Sequence, residues 1–139
     1  MKNESIRSSF IGQELFGKTE LLEWFLAQGG KEVKGFINTL YSGVSTLFMA
    51  RVVKDIIINH PNLSGLYQLA VEEPISKYDL LTAAKSAFNV DVNIIPDNEH
   101  VHLPTLDGSK LKKEINLVVP PWQDMMNELS IHKIFYHNN

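Results

Sequence analysis

The chain of 139 residues contains no cysteine, which removes disulfides, thiolate nucleophiles and cysteine-based metal sites and fits a reducing compartment. Long apolar runs are missing as well. A stretch such as Leu47 to Ala50 falls far short of the ~20 residues of a membrane span, and the polar start Met1-Lys2-Asn3-Glu4-Ser5 has no secretion-signal core. Positive charge is not in excess: 13 Lys and Arg stand against 16 Asp and Glu, a net of -3. No basic cluster or interleaved aromatic stripe is present to neutralise a phosphate backbone. These absences predict a cytoplasmic protein with no nucleic-acid and no membrane partner. The glycine fingerprint Gly-x-x-Gly-x-x-Gly, which brings a helix N-terminus up to a dinucleotide pyrophosphate, occurs nowhere in the sequence.

What is present suffices for one core of ordinary size, at 44% hydrophobic residues, so a single principal domain is expected. The first conspicuous pattern is Gly12-Gln13-Glu14-Leu15-Phe16-Gly17-Lys18-Thr19. It matches the P-loop spacing and sits between a strand-like run, Ser5 to Ile11, and a helix-like run, Glu20 to Gln28. A P-loop cradles phosphates with a row of backbone N–H groups, which favours small residues in its middle. Here Glu14 would set a carboxylate against a polyanion, and Leu15 and Phe16 would need an apolar berth. The acidic strand end that holds magnesium in such enzymes has only Asp55 and Asp97 as candidates. The first lies in a helical pattern and the second follows Pro96. One reading of Gly12 to Thr19 is thus a small nucleotide-binding module, and the other a strand-to-helix turn.

Downstream, strand and helix periodicities alternate. Leu22, Phe25 and Leu26 share a face of a helix capped by Thr19 and closed by Gly29-Gly30. Short extended pieces follow at Val33 to Asn38 and Leu40 to Ser42. Ser45 or Thr46 caps a helix whose stripe is Met49, Val52, Val53, Ile56 and Ile57. Leu66 to Val71 reads as a buried strand. Ser76, with Asp79 three residues on, opens a helix over Lys77 to Phe88, and Val90 to Pro96 alternates like a strand. A short helix is expected from Asp107, and another from Pro120-Pro121-Trp122 to about Leu129.

Five segments, taken in order, resemble one enzyme group. They are Ile6-Arg7-Ser8-Ser9-Phe10-Ile11-Gly12-Gln13-Glu14-Leu15-Phe16-Gly17; Val33 to Thr39; Tyr41-Ser42-Gly43-Val44-Ser45-Thr46; Ser64 to Leu69; and Glu73-Pro74-Ile75-Ser76-Lys77-Tyr78-Asp79-Leu80-Leu81. Together they resemble the part that follows the catalytic helix in extended short-chain dehydrogenases acting on nucleotide sugars, most closely the dTDP-4-dehydrorhamnose reductase group. The resemblance covers about Ser5 to Leu129. It implies an α/β fold, the C-terminal substrate-binding part of an extended Rossmann-type enzyme, without the glycine-fingerprint half. The implied domain runs over 1–129 with one residual sheet strand at 5–11, and 130–139 is a tail outside the family pattern.

The family's chemistry uses a Tyr that protonates the carbonyl oxygen and a Lys four residues later that lowers its pKa. Position four after Tyr41 is Ser45, after Tyr67 is Val71 and after Tyr78 is Thr82, while Tyr136 lies too near the end. The resemblance therefore implies a substrate-side portion that cannot transfer hydride alone. NAD or NADP would serve the complete enzyme, and no cofactor is expected for this chain by itself.

By the same resemblance Ser8 and Ser9 end a strand beside the nicotinamide, and are candidate cofactor contacts or else internally bonded strand hydroxyls. Asn38, Thr39, Tyr41 and Ser42 line the implied sugar-nucleotide pocket with amide and hydroxyl groups, against the alternative of ordinary turn chemistry. His100 and His102 alternate on an extended stretch, but a metal site would need two further ligands. The Arg that commonly precedes the segment resembling Leu106 to Leu111 and binds pyrophosphate has no counterpart, since Pro104 and Thr105 stand there. The implied partners are a nucleotide-sugar substrate and either a second copy or a separate dinucleotide-binding half. A third reading is a truncated oligomerisation or regulatory partner.

Overall fold

The first strand-like run leaves its partner midway. In the computed structural model, which describes the backbone of residues 4–12 and 20–137 and side chains up to 132, residues 5–11 form not one strand but two. β1 (Glu4–Arg7) pairs in parallel with β6 (Gly65–Gln68), and β2 (Phe10–Ile11) pairs in parallel with β5 (Val44–Ser45). The switch falls at Ser8 and Ser9. Leu69 N donates to the Arg7 carbonyl at 2.9 Å, the Ser8 hydroxyl to the Leu69 carbonyl at 2.8 Å, and Val44 N to the Ser9 carbonyl at 2.9 Å. A serine hydroxyl thus takes the acceptor that a continuing ladder would give to a backbone N–H.

A second parallel ladder joins β3 (Glu32–Phe36) to β8 (Asn93–Asp97), and an antiparallel one joins β4 (Leu40–Tyr41) to β7 (Ile75–Ser76). Five helices complete the chain: α1 (Leu21–Leu26), α2 (Thr46–Asn59), α3 (Lys77–Phe88), α4 (Ser109–Ile115) and α5 (Trp122–His137). The protein is α/β, with short, mostly parallel strands alternating with helices.

The helix ends follow local chemistry. Ser45 caps α2 by accepting from Phe48 N, and Ser76 caps α3 by accepting from Asp79 N, each at 3.0 Å. Asn89 closes α3 in the left-handed region at φ 53°, a conformation that asparagine tolerates. The inward stripe of α2 is Phe48, Val52 and Ile56, whereas Val53 and Ile57, expected on it, are 40% and 52% exposed. Val52 and Ile56 keep the expected face, now centred with Phe48 and with Met49 partly buried beside it, and Val53 and Ile57, one position further round the helix, turn outward. β6 is less buried than its apolar letters suggest, with Leu66 47% exposed. Helix α5 continues past Leu129 to His137, because no Gly or Pro interrupts Ser130 to His137.

α3 and α5 pack together at the centre. Leu80, Leu81 and Ala84 meet a core that includes Trp122, Met125 and Met126, all under 9% exposed. Trp122 is a core anchor, while Trp24 is 38% exposed on α1. No helix among the described residues is long and apolar enough to cross a membrane.

Candidate functional site

Three backbone segments converge on Thr39. Lys77 N, at the start of α3, donates to the Thr39 carbonyl at 2.8 Å. Leu40 N donates to the His102 carbonyl at 2.9 Å, and His102 N to the Asn38 carbonyl at 3.0 Å, so Thr39 and His102 form a parallel bridge. The clasp is made by main-chain groups. Thr39, Lys77 and His102 all line a cavity of about 300 Å³, the lower end of the range for small-molecule sites.

Leu21 of α1, Leu40 and Leu80 supply the apolar part of the wall, and Ser9, Thr39, Tyr41, Ser42 and Thr105 the hydroxyls. Lys77 and His102 bring the nitrogen groups, and no carboxylate is among the described residues that line the space. A second cavity of about 310 Å³ adjoins it, sharing Pro104 and Leu106, and is bordered by Asp107, Ser109 and Lys112. There Lys112 is paired with Glu72 at 2.8 Å. Asp107 accepts from Ser109 N at 3.0 Å, and this bond, with that from the Ser109 hydroxyl, holds its carboxyl below the usual range.

One wall is packed with unusual closeness. The Trp122 indole donates to the Gly43 carbonyl at 3.1 Å, and its ring lies 5.9 Å from that of Tyr41. The Tyr41 hydroxyl is buried without a hydrogen-bond partner, and burial raises its pKa far above the ordinary phenol value. Gly43 fits between them because a Cβ there would overlap the Ser9 carbonyl oxygen and the Tyr41 hydroxyl.

Of the residues singled out from sequence, Ser9, Thr39, Tyr41 and Ser42 come together on this cavity. Asn38 is exposed and contributes its carbonyl to the clasp. The Ser8 hydroxyl is engaged with the Leu69 carbonyl. His100 packs edge-on against Phe36, with centroids 4.8 Å apart, while His102 lines the cavity. No group of three or more residues able to hold a metal occurs among the described residues. Lys77 belongs to the family-like segment Glu73 to Leu81, which marks a helix start there and not a site residue. The signal for it was positional, since the first residue of a helix capped at Ser76 must flank whatever precedes Ser76.

Residues 13–19 of the P-loop match lie outside the described residues. Gly12 has its own packing reason, since a Cβ there would stand 2.7 Å from Thr46 Cγ2 at the start of α2.

No protein-family model and no curated protein matches the chain in sequence. Solved structures do match in fold. The dTDP-4-dehydrorhamnose reductase of Bacillus anthracis, in complex with NADP, superposes with a TM-score of 0.74 at 16% identity, over 93% of this chain and 48% of that one. The dTDP-4-dehydrorhamnose reductase of Clostridium acetobutylicum gives 0.71 at 17% identity, over 91% and 47%. UDP-N-acetylglucosamine 4-epimerase from Bacillus cereus gives 0.66 at 16%, over 94% and 45%. The chain therefore spans about half the length of the structures it matches and shares the fold of that half.

Proposed function

We propose that this chain is the substrate-side portion of an NAD(P)-dependent nucleotide-sugar enzyme of the dTDP-4-dehydrorhamnose reductase kind. The observation that carries the reading is the cavity framed by Ser9, Thr39, Tyr41 and Ser42, residues that resemblance in sequence had already marked out. Its apolar wall suits a sugar or base ring, and its ring of hydroxyls suits sugar oxygens.

Hydride transfer is assigned elsewhere. The complete enzyme's nicotinamide would supply the hydride, but this chain has neither the glycine turn that cradles a pyrophosphate nor a Tyr-x-x-x-Lys pair. Ser8, with its hydroxyl committed to Leu69, leaves Ser9 as the chain's candidate contact to a cofactor. The proposed partner is a dinucleotide-binding half, or failing that a second copy, docking on the outer edge of β1. Among the described residues β1 pairs on one side only, with β6, whereas parallel strands are normally covered and bonded on both sides. Phe10, 55% exposed, and Leu66, 47% exposed, lie on the flanking strands β2 and β6.

Titration of the purified chain with dTDP-glucose and UDP-glucose, followed by amide NMR, tests the reading. Shifts at Thr39 and Ser42 are expected, together with no NADPH or NADH oxidation on addition of a 4-ketosugar nucleotide. Absence of shifts around the cavity with both nucleotides would reject the substrate assignment.

A further inference from the structure

We infer that Lys77, flanked by His102 and Thr39, is the phosphate anchor of this cavity. The inference rests on the nucleotide-sugar reading for the rest of its ligand, but the anion site stands on its own geometry.

Three observations carry it. The first is charge: Lys77 and His102 line a cavity that has no carboxylate among its described lining residues, in a chain whose net charge is -3. Five of the described acids in the surrounding segments are engaged or face elsewhere. Asp97 and Glu99 pair with Lys34 at 3.6 and 3.8 Å, Glu72 pairs with Lys112, Asp107 accepts from Ser109 N, and Asp79 borders a different hollow.

The second is that Lys77 makes no ion pair among the described residues. Its ammonium lies 5.4 Å from the centre of the Phe36 ring, which holds a cation without neutralising it. No described carboxylate therefore competes with a ligand for this half-buried lysine.

The third is rigidity. The main-chain bonds joining Lys77 to Thr39, and Thr39's neighbours to His102, fix the three Cα positions independently of their side chains. An incoming anion then meets donors already gathered, and less conformational entropy is lost on binding. A lysine acts on phosphate as a point charge, so one lysine with an adjacent imidazole suits a diphosphate bridge, whose charge spreads over several oxygens; the Thr39 hydroxyl, which donates to the His100 carbonyl at 3.4 Å, frames the site without adding a free donor. Leu21 and Leu80 would then lie against the uncharged part of the ligand.

The test uses the whole chain and Lys77→Gln and Lys77→Arg variants, with folding checked by circular dichroism. The probes are inorganic pyrophosphate, dTDP, dTDP-glucose and uncharged thymidine, each titrated by amide NMR and calorimetry. Pyrophosphate and dTDP should shift the amides of Thr39, Lys77 and His102. Lys77→Gln should weaken both roughly 10–100-fold, the range for loss of a charged hydrogen bond, while Lys77→Arg retains most of the affinity and thymidine is indifferent to either. Pyrophosphate that leaves those amides unmoved, or binds Lys77→Gln as well as wild type, overturns the anchor. If dTDP-glucose binds both proteins equally, the nucleotide-sugar reading survives and the anchor falls. If pyrophosphate depends on Lys77 but no nucleotide sugar binds, the anchor survives and that reading falls.

Discussion

Replacing Gly43 by alanine adds one methyl group where the cavity wall has no room for it. The built Cβ overlaps the Ser9 carbonyl oxygen and the Tyr41 hydroxyl, and lies 2.6 Å from Tyr41 Cζ. None of these can yield cheaply. The Ser9 carbonyl is held by Val44 N at 2.9 Å, Tyr41 packs against Trp122, and Trp122 in turn binds the carbonyl of Gly43 itself. Gly43 has no positive φ, so its backbone suits alanine and the penalty is steric alone. Overpacking of this kind costs about 2–3 kcal/mol, which in a domain of this size lowers the melting midpoint by roughly 6–9 °C. Gly29→Ala is the matched control, because nothing lies within 4 Å of its added Cβ; it should be neutral, or stabilising by up to about 1 kcal/mol through the unfolded chain. Thermal melts followed by circular dichroism compare the two. Equal midpoints for Gly43→Ala and wild type would refute the close packing of Gly43, Ser9 and Tyr41.

Two further outcomes are expected. Ser76→Ala removes the side-chain acceptor for Asp79 N and should destabilise the fold by about 1 kcal/mol, read as a lower urea midpoint with an unchanged slope; a changed slope would point instead to an altered native state. Burial raises the folded-state pKa of the Tyr41 phenol above its ordinary value of 10.0, so its contribution is intact below pH 10 and is lost as pH rises through the folded-state value. Stability measured from pH 9 to 12 should therefore fall at the alkaline end in wild type and fall less in Tyr41→Phe, and parallel curves would contradict the burial of that hydroxyl.

Local chemistry was legible and long-range pairing was not. The span of α3 and the caps at Ser45 and Ser76 follow from a hydroxyl placed just before an apolar periodic run, a pattern contained within a few residues. The break at Ser8 and Ser9 could not be read that way, since Glu4 to Ile11 keeps one extended pattern while its partner changes from β6 to β5. On α2, Val52 and Ile56 lie on the expected face, while Phe48 joins it and Val53 and Ile57 turn outward. Phe48 and Met49 are both apolar, and only the packed neighbours decide which turns inward. At the site, hydroxyl-bearing residues on a loop could be marked by resemblance, but the approach of Lys77 and His102 to Thr39 depends on bridges between segments far apart in sequence. The run of α5 to His137 was missed because it departs from the family pattern at Ser130, although its composition does not forbid a helix.

The partner switch at Ser8 and Ser9 belongs to a wider arrangement that governs how the chain reaches its native state. Among the described residues no strand is joined to its immediate successor: Glu4 meets Gly65, Phe10 meets Val44, Glu32 meets Asn93 and Leu40 meets Ser76. Each ladder must close a long loop before its first bond contributes, which places this chain among high-contact-order folds that form slowly. During synthesis β1 waits for residue 65 and β3 for residue 93, so both emerge as unpaired edges open to association with other chains. Helices α2 and α3, with their caps already in place, can form in that interval and hold the strands' attachment points until the pairings become available.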